Sequence, residues 1–319
     1  MGYPAKLTKE NSLDVSRKIH CLGINEIFLA NLAIALKHQG YEITTSVESN
    51  PEPYIANKLV QNHILPQRIG LDANNIHPRL DGLIIGRKID AKNVEVEMAH
   101  QLGVPVYIYA DYIHKYAQDK QRIVVTGIEE ITDILLTIFI YVLRYWNRSF
   151  DYITTSSCLD ESIKISDAPI ILLQADGHAA STLDQRPQFL AYDPHIVVIS
   201  SLDKISPEGE DTLDRSVDAF NALADSLPKA GSVIYNADIP VIRKIGEKSR
   251  IDVKNIAYRA HSTRINNKKI YLITPQSEIL ITNSNKMTLE AIAGAYSLLE
   301  EVAITEEQFY EAISTFPNL

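Results

Sequence analysis

The sequence predicts an α/β protein of two domains, each a parallel sheet with helices on both faces. Three observations predict it. Short apolar runs alternate with longer segments of helical spacing, from KIHCLG at 18–23 to HIVVIS at 195–200, as in strand–helix–strand units. The run Ile123–Val125 is apolar at successive positions, as a strand buried on both faces is. The length of 319 residues suits two domains of ordinary size.

Residues 1–16 read as a flexible leader. Lys18–Gly23 is a short strand, and Glu26–His38 has helical apolar spacing at Ile27, Leu29, Ala30, Ala33, Ile34 and Leu36. Gly40 stops that helix, and Tyr41–Ser46 is the next strand. Asp81-Gly82 leads into a third strand, Leu83–Gly86. A helix over Val94–Leu102 ends at Gly103, and a strand follows at Val104–Ile108. The first domain, 17–118, closes where the polar string AQDKQ begins, and the second spans 119–319.

The second domain opens on the strand Ile123–Val125, turns at Thr126-Gly127 and enters a long apolar helix, Ile134–Leu143. That helix is apolar all round, so it is either buried or covered by a partner. Further strands are expected at Ala168–Leu173, His195–Ser200 and Ser232–Tyr235. Asp211–Leu227 suits a helix with Val217, Phe220, Leu223 and Ala224 on one face. Asn255–Arg259, Lys269–Thr274 and Glu278–Thr282 are expected as antiparallel strands at a sheet edge, followed by helices Met287–Glu301 and Glu306–Thr315.

Composition narrows the function. The chain is 45% apolar and 22% charged, as soluble globular proteins are. A net charge of −9 argues against a nucleic-acid partner, whose phosphates need a basic footprint. Cys21 and Cys158 have no metal or redox spacing and read as free thiols in a reducing cytosol. The polar N-terminus is no signal peptide, and Ile134–Leu143 is too short to span a bilayer. A cytoplasmic location, away from membranes, follows by elimination. The histidines show no metal spacing, no G-x-S-x-G element occurs, and no catalytic or metal-binding residue is assigned.

The stretch from Gln121 to Asn147 has the strand, glycine turn and helix start of a nucleotide-phosphate loop. The chemistry of such a loop is inverted. Glu129, Glu130 and Asp133 occupy it, and no Lys or Arg lies between Arg122 and Arg144, where a phosphate cradle needs a lysine.

Several segments together resemble the Mur ligase family, ATP-dependent enzymes that add amino acids or peptides to UDP-N-acetylmuramate in peptidoglycan synthesis. They are KIHCLGINEIFLANLAIALKHQGYEIT, DGLIIGRK, RIVVTG, DAPIILLQAD, RPQFLAYDPHIVVIS, ADSLPKAGSVIYNAD and ITEEQFYEAISTF, in order over roughly 18–317. Within that family the segments most resemble the ligase that attaches a ready-made tripeptide, and next the alanine-adding ligase. The resemblance implies a Rossmann-like UDP-sugar domain and a P-loop-NTPase-like central domain. It also implies ATP and magnesium as the family's cofactors and a third, substrate-binding domain that would start where this chain stops.

Carried over residue by residue, the motifs are thin. The first glycine loop reads Gly23-Ile24-Asn25-Glu26, with one glycine left and a carboxylate near any diphosphate. Ser46-Val47 keeps the serine of a Ser-Asp pair but not the acid. Gly86-Arg87-Lys88 keeps a basic pair near the expected sugar-phosphate site, although two solvated cations read equally well.

The family's T-G-T-H-G-K-T becomes Thr126-Gly127-Ile128-Glu129-Glu130-Ile131-Thr132, with Ile131 at the lysine position. A charge-assisted hydrogen bond to a phosphate, which the lysine would make and isoleucine cannot, is worth about 1.5–3 kcal/mol. Gln174 stands where a magnesium glutamate is implied, and neutral amides serve that ion poorly. The stretch SLDKISPEGE lacks the implied histidine, leaving Asp203 and Glu208 as loop acids. Asn285-Lys286-Met287-Thr288-Leu289 replaces H-N-x-x-N, whereas Asn236 and Asp238 fit their pattern. Asp176 and His178 read as a capped turn or a satisfied polar pair rather than an acid/base pair.

Gly23, Ser46, Gly86, Arg87, Thr126, Gly127 and Thr132 are therefore the vestigial cofactor-site residues, and no bound cofactor is expected. The core pattern is intact while the lysine, glutamate, histidine and asparagine are replaced. This points to an inert homologue that binds or scaffolds, pairing with itself or with an active ligase. Two alternatives stay open: an ATP-dependent ligase or part of one, and a sensor that keeps a UDP-sugar or muramyl-peptide ligand in the first domain.

Overall fold

The computed structural model describes residues 17–156, 159, 161–202, 212–248, 250–267, 269–275, 277–282 and 284–317. The leader 1–16, Cys158, Asp203, Glu208 and Asp211 lie outside the described residues. The chain divides into two compact units between Tyr107 and Ile108.

The first unit runs β1 (Lys18–Leu22), α1 (Ile27–His38), β2 (Glu42–Ser46), α2 (Pro53–Gln61), a 3₁₀ turn at Ala73–Asn75, β3 (Gly82–Ile85), α3 (Val94–Leu102) and β4 (Val106–Ile108). Its sheet has the order β2-β1-β3-β4, and β1 runs parallel to both neighbours. Leu22 lies beside both Ser46 and Ile85. The three strands therefore end level, and the segments that follow them meet at one edge. Gly103 stops α3 at φ +69, in the left-handed region that glycine enters without penalty.

The second unit begins with α4 (Tyr109–Tyr116), β5 (Gln121–Thr126), α5 (Glu129–Tyr145), β6 (Asp151–Ile153), β7 (Ile163–Lys164), β8 (Ile170–Gln174), α6 (Gln188–Ala191) and β9 (Ile196–Ile199). It continues with α7 (Thr212–Ser226), β10 (Ser232–Asn236), α8 (Pro240–Glu247), β11 (Lys254–Tyr258), β12 (Thr263–Asn266), β13 (Lys269–Ile273), β14 (Glu278–Ile281), α9 (Lys286–Glu301) and α10 (Glu306–Ile313). Seven strands form one sheet in the order β11-β10-β9-β5-β8-β6-β7, parallel except for β7 against β6. The helices pack in two groups, α5 with α9 and α10, and α4, α6, α7 and α8 one against the next.

The apolar helix is longer than its sequence core, and Leu135, Leu136, Ile138, Phe139, Ile140, Val142 and Leu143 are buried. Its cover is α9 and α10 of the same unit. Gly294 of α9 lets the two helices approach, since a Cβ there would lie 2.9 Å from Leu135 Cδ1. Helix α10 starts on a reciprocal cap between Thr305 and Gln308.

Two expectations need correction. The segment Asn255–Arg259 is not antiparallel: β11 runs parallel to β10, with Ser232 beside Lys254. Helix α8 between them is the crossover that a parallel return requires. The strands over 269–273 and 278–281 are antiparallel, but they form a separate three-stranded sheet with β12.

The division between the compact units falls ahead of residue 118. Tyr116 at the end of α4 donates to Ser166 O at 2.6 Å and to Asp151 Oδ2 at 3.1 Å, which ties α4 into the second unit.

Candidate functional site

In the first unit, the level strand ends bring Gly23, Ser46, Gly86 and Arg87 together. Gly23 takes φ +85, and its N–H donates to Ser46 O at 3.0 Å. The side chain of Ser46 is buried and donates to Glu95 Oε2 at 2.6 Å. His20 Nε2 lies 3.1 Å from the same carboxylate oxygen, and His20 Nδ1 lies 2.7 Å from Thr44 Oγ1. The other oxygen, Oε1, accepts from Asn75 Nδ2 at 2.9 Å and Asp72 N at 3.1 Å. Burial pushes the Glu95 carboxyl up, but hydrogen bonds from His20, Ser46 and Asn75 outweigh it and hold the group below the ordinary carboxylate range.

This network forms one wall of a cavity of about 510 Å³, lined in part by His20, Thr44, Ser46, Arg68, Asn75 and His77. Sequence reasoning found Ser46 and missed His20 and Glu95. The available signal was a glutamate in the first turn of α3, between Val94 and Val96.

Glu26, at the N-cap of α1, sends its carboxylate across to the loop after β3. There it accepts from Arg87 N at 2.9 Å and Lys88 N at 3.1 Å. Gly86 makes room: a Cβ at that position would lie 2.8 Å from Glu26 Oε1. The Arg87 guanidinium sits 5.8 Å from the Phe28 ring centroid.

In the second unit, Thr126 ends β5 and α5 begins at Glu129, so only Gly127 and Ile128 lie between strand and helix. Gly127 has φ +141, and a Cβ there would meet Ser200 Oγ, Ser201 Oγ and Ser201 N, the last two at 2.6 and 2.8 Å. The Ile128 N–H donates to Ser201 Oγ at 2.6 Å, and Ser200 Oγ donates to Thr126 O at 3.1 Å. Glu129 and Glu130 occupy the first turn of α5, where carboxylates complement the helix dipole. Ile131 is 5% exposed and belongs to the α5 core.

Thr132 lies within the helix, with Oγ1 donating to Glu129 O at 3.1 Å and accepting from Gln174 Nε2 at 3.0 Å. Asn236 Nδ2 reaches Ser200 O at 3.3 Å, and Asn285 caps α9 by accepting from Thr288 N at 2.7 Å. Asp176 Oδ1 accepts from His178 N at 2.9 Å, the geometry of a capped turn. Among the described residues, no group of three His, Cys, Asp or Glu side chains is placed to hold a metal ion, and no helix is long and apolar enough to cross a membrane.

No family model matches the chain. In sequence it is 22% identical over 316 residues to the UDP-N-acetylmuramate–L-alanine ligase of Desulfitobacterium hafniense, covering 93% of this chain and 66% of the relative. It is 24% identical over 221 residues to the UDP-N-acetylmuramate–L-alanyl-gamma-D-glutamyl-meso-2,6-diaminoheptandioate ligase of Escherichia coli, covering 68% and 48%. The chain is Mur ligase-like.

Solved structures carry the same fold as this Mur ligase-like chain. The UDP-N-acetylmuramate:L-alanyl-gamma-D-glutamyl-meso-diaminopimelate ligase from Neisseria meningitides superposes with a TM-score of 0.77 at 16% identity, over 95% of this chain and 99% of that one. The UDP-N-acetylmuramate–alanine ligase from Thermotoga maritima superposes with a TM-score of 0.66 at 14% identity, over 95% and 69%. The Mur ligase-like chain spans 66% and 48% of the length of the two curated relatives, and its mixed α/β units match the N-terminal and central domains of the ligase structures.

Proposed function

We propose that this chain is a non-catalytic Mur ligase homologue that serves peptidoglycan metabolism as a binding or scaffold protein. The observation that carries the reading is the entry to α5. A triphosphate cradle needs free backbone N–H groups and a cation. Here the helix is wound from Glu129, Ser201 holds the Ile128 N–H, and two carboxylates fill the first turn. Ile131 stands at the lysine position with its side chain in the core. At the position implied for magnesium, Gln174 spends its amide on Thr132 and Asp133. ATP and magnesium do not fit these residues. The same reading puts the protein in the cytoplasm, paired with itself or with an active ligase.

The test is the melting temperature of the full chain with and without ATP and magnesium. No shift is expected at millimolar nucleotide; a rise of several degrees would overturn the reading, because a ligand that binds only the native state must raise stability.

A second reading is favoured by the names of the two sequence relatives described above, both ligases. In it the chain is an ATP-dependent ligase on UDP-N-acetylmuramate, or part of one. Phosphate release from ATP in the presence of UDP-N-acetylmuramate and an amino acid or tripeptide would support that reading, and its absence with every partner domain supplied in trans would count against it.

A further inference from the structure

We propose that Glu26 is a built-in anion of the first unit: it occupies the Arg87–Lys88 amide pair and so refuses phosphate-bearing ligands at the ends of β1 and β3. The proposal goes beyond the reading of the α5 entry and is independent of it, because it concerns the first unit alone.

Three observations carry it. Two successive backbone N–H groups, of Arg87 and Lys88, converge on one carboxylate at 2.9 and 3.1 Å. Successive amides of this kind form the concavity that elsewhere takes an oxyanion. The carboxylate arrives from a different element, 61 positions away in sequence for Arg87, so it is not a local turn. The position beneath it is Gly86, where any side chain would collide with Glu26 Oε1 at 2.8 Å. The backbone is thus shaped to admit this carboxylate closely.

The chemistry follows from charge. An amide pair that accepts a carboxylate would accept a phosphate equally well, and the Arg87 and Lys88 side chains would favour it. A phosphate arriving there now meets a like charge already seated on both donors. It must displace a tethered group whose effective concentration is high. Glu26 therefore acts as a specificity-determining residue. It leaves the neighbouring cavity beside Ser46, His77 and Asn75 to ligands that do not place a phosphate on this loop. A glutamate that merely repels a bound diphosphate, as the sequence suggests, would instead point to solvent and leave both amides open.

The probes are inorganic pyrophosphate and UDP, titrated by calorimetry into the full-length chain, its Glu26→Ala variant and its Glu26→Gln variant. Circular dichroism and melting curves verify folding. The wild type is expected to show no saturable binding at millimolar probe. Glu26→Ala should gain roughly 10- to 100-fold in affinity, the value of about one charge-assisted hydrogen bond. Glu26→Gln should fall between them, because its amide oxygen still occupies part of the cradle. The Arg87 and Lys88 amide ¹H–¹⁵N signals should move on addition of probe to the variants and stay fixed in the wild type. The proposal is overturned if folded variants bind no better than the wild type, or if affinity rises without movement at Arg87 and Lys88. It is equally overturned if the wild type binds pyrophosphate through those two amides. Should Glu26→Ala fail to fold, Glu26→Gln decides by the same two readouts.

Discussion

The Gln174 side-chain nitrogen donates to Asp133 Oδ1 at 2.9 Å and to Thr132 Oγ1 at 3.0 Å, while its oxygen accepts from Thr155 N at 2.8 Å. Only a neutral amide can do both. A carboxylate at 174 cannot donate, and it would face Asp133 as a like charge. Gln174→Glu, which introduces the residue type that the family resemblance implies there, should cost about 1–3 kcal/mol at neutral pH. The new carboxyl would have its folded-state pKa raised by Asp133. The penalty is therefore absent below its unfolded pKa and grows as pH rises above it. Urea unfolding at neutral and mildly acidic pH measures both the size and the sign.

Glu95 makes the first unit sensitive to acid. Its carboxyl is held below the ordinary range because the bonds from His20, Ser46 and Asn75 outweigh burial. A depressed carboxylate contributes stability above its unfolded pKa, about 4.3, and that contribution is lost as pH falls through the folded value. Glu95→Gln should lower stability at neutral pH by about 1–3 kcal/mol and flatten the acid limb of the stability profile. Denaturant titrations across the acid range would read this directly; an acid limb as steep as the wild type's would contradict it.

Lys120 Nζ lies 2.9 Å from Asp151 Oδ2, and the two side chains are 9% and 0% exposed. Ser166 Oγ donates to the other oxygen of Asp151 at 2.6 Å. Lys120→Met strands a buried carboxylate and should cost about 3–5 kcal/mol. Adding Asp151→Asn should recover part of that loss, since an amide keeps an acceptor for Ser166 without the charge. Melting curves of the single and double variants form the cycle that tests the coupling.

Helix α8 rests on β10 at Gly246, where a Cβ would run into the Tyr235 ring. Tyr235 is itself buried, so the ring has nowhere to move. Gly246→Ala should lose about 1–3 kcal/mol by overpacking, although alanine is the better helix former. A variant as stable as the wild type would mean that α8 can slide on the sheet.

The parallel core is legible in the sequence because strands such as Ile123–Val125 and Ile196–Ile199 are apolar at every position and separated by segments of helical spacing. Strands β6 and β7, three and two residues long, are too short to carry a period, and they are invisible for that reason. The direction of β11 is misread because α8 is only eight residues long and amphipathic around a single proline start. With the crossover unseen, a parallel strand looks like the return arm of a hairpin.

In the site, Ser46, Gly86 and Gly127 stand out by residue type and place. Glu26, Glu95 and Gln174 do not reveal their roles, because each depends on partners far away in sequence, such as Arg87, His20 and Thr132. A sequence shows which residues carry charge but not which backbone amides are waiting to receive it.

Ile131 has a consequence for how this chain can change over time. Its side chain belongs to the same buried cluster as Leu135 and Phe139. A lysine introduced there first would bury an ammonium among them without a partner, a loss of several kcal/mol with nothing bound in return. Gly127 is already packed against Ser200 and Ser201, and Ser201 would have to release the Ile128 amide before a phosphate could reach it. A lineage starting from this sequence can acquire such a loop only if the surrounding serines and the first turn of α5 change before the cation arrives. The order of substitutions is constrained, and the most obvious single substitution, a lysine at 131, is the costly one to make first.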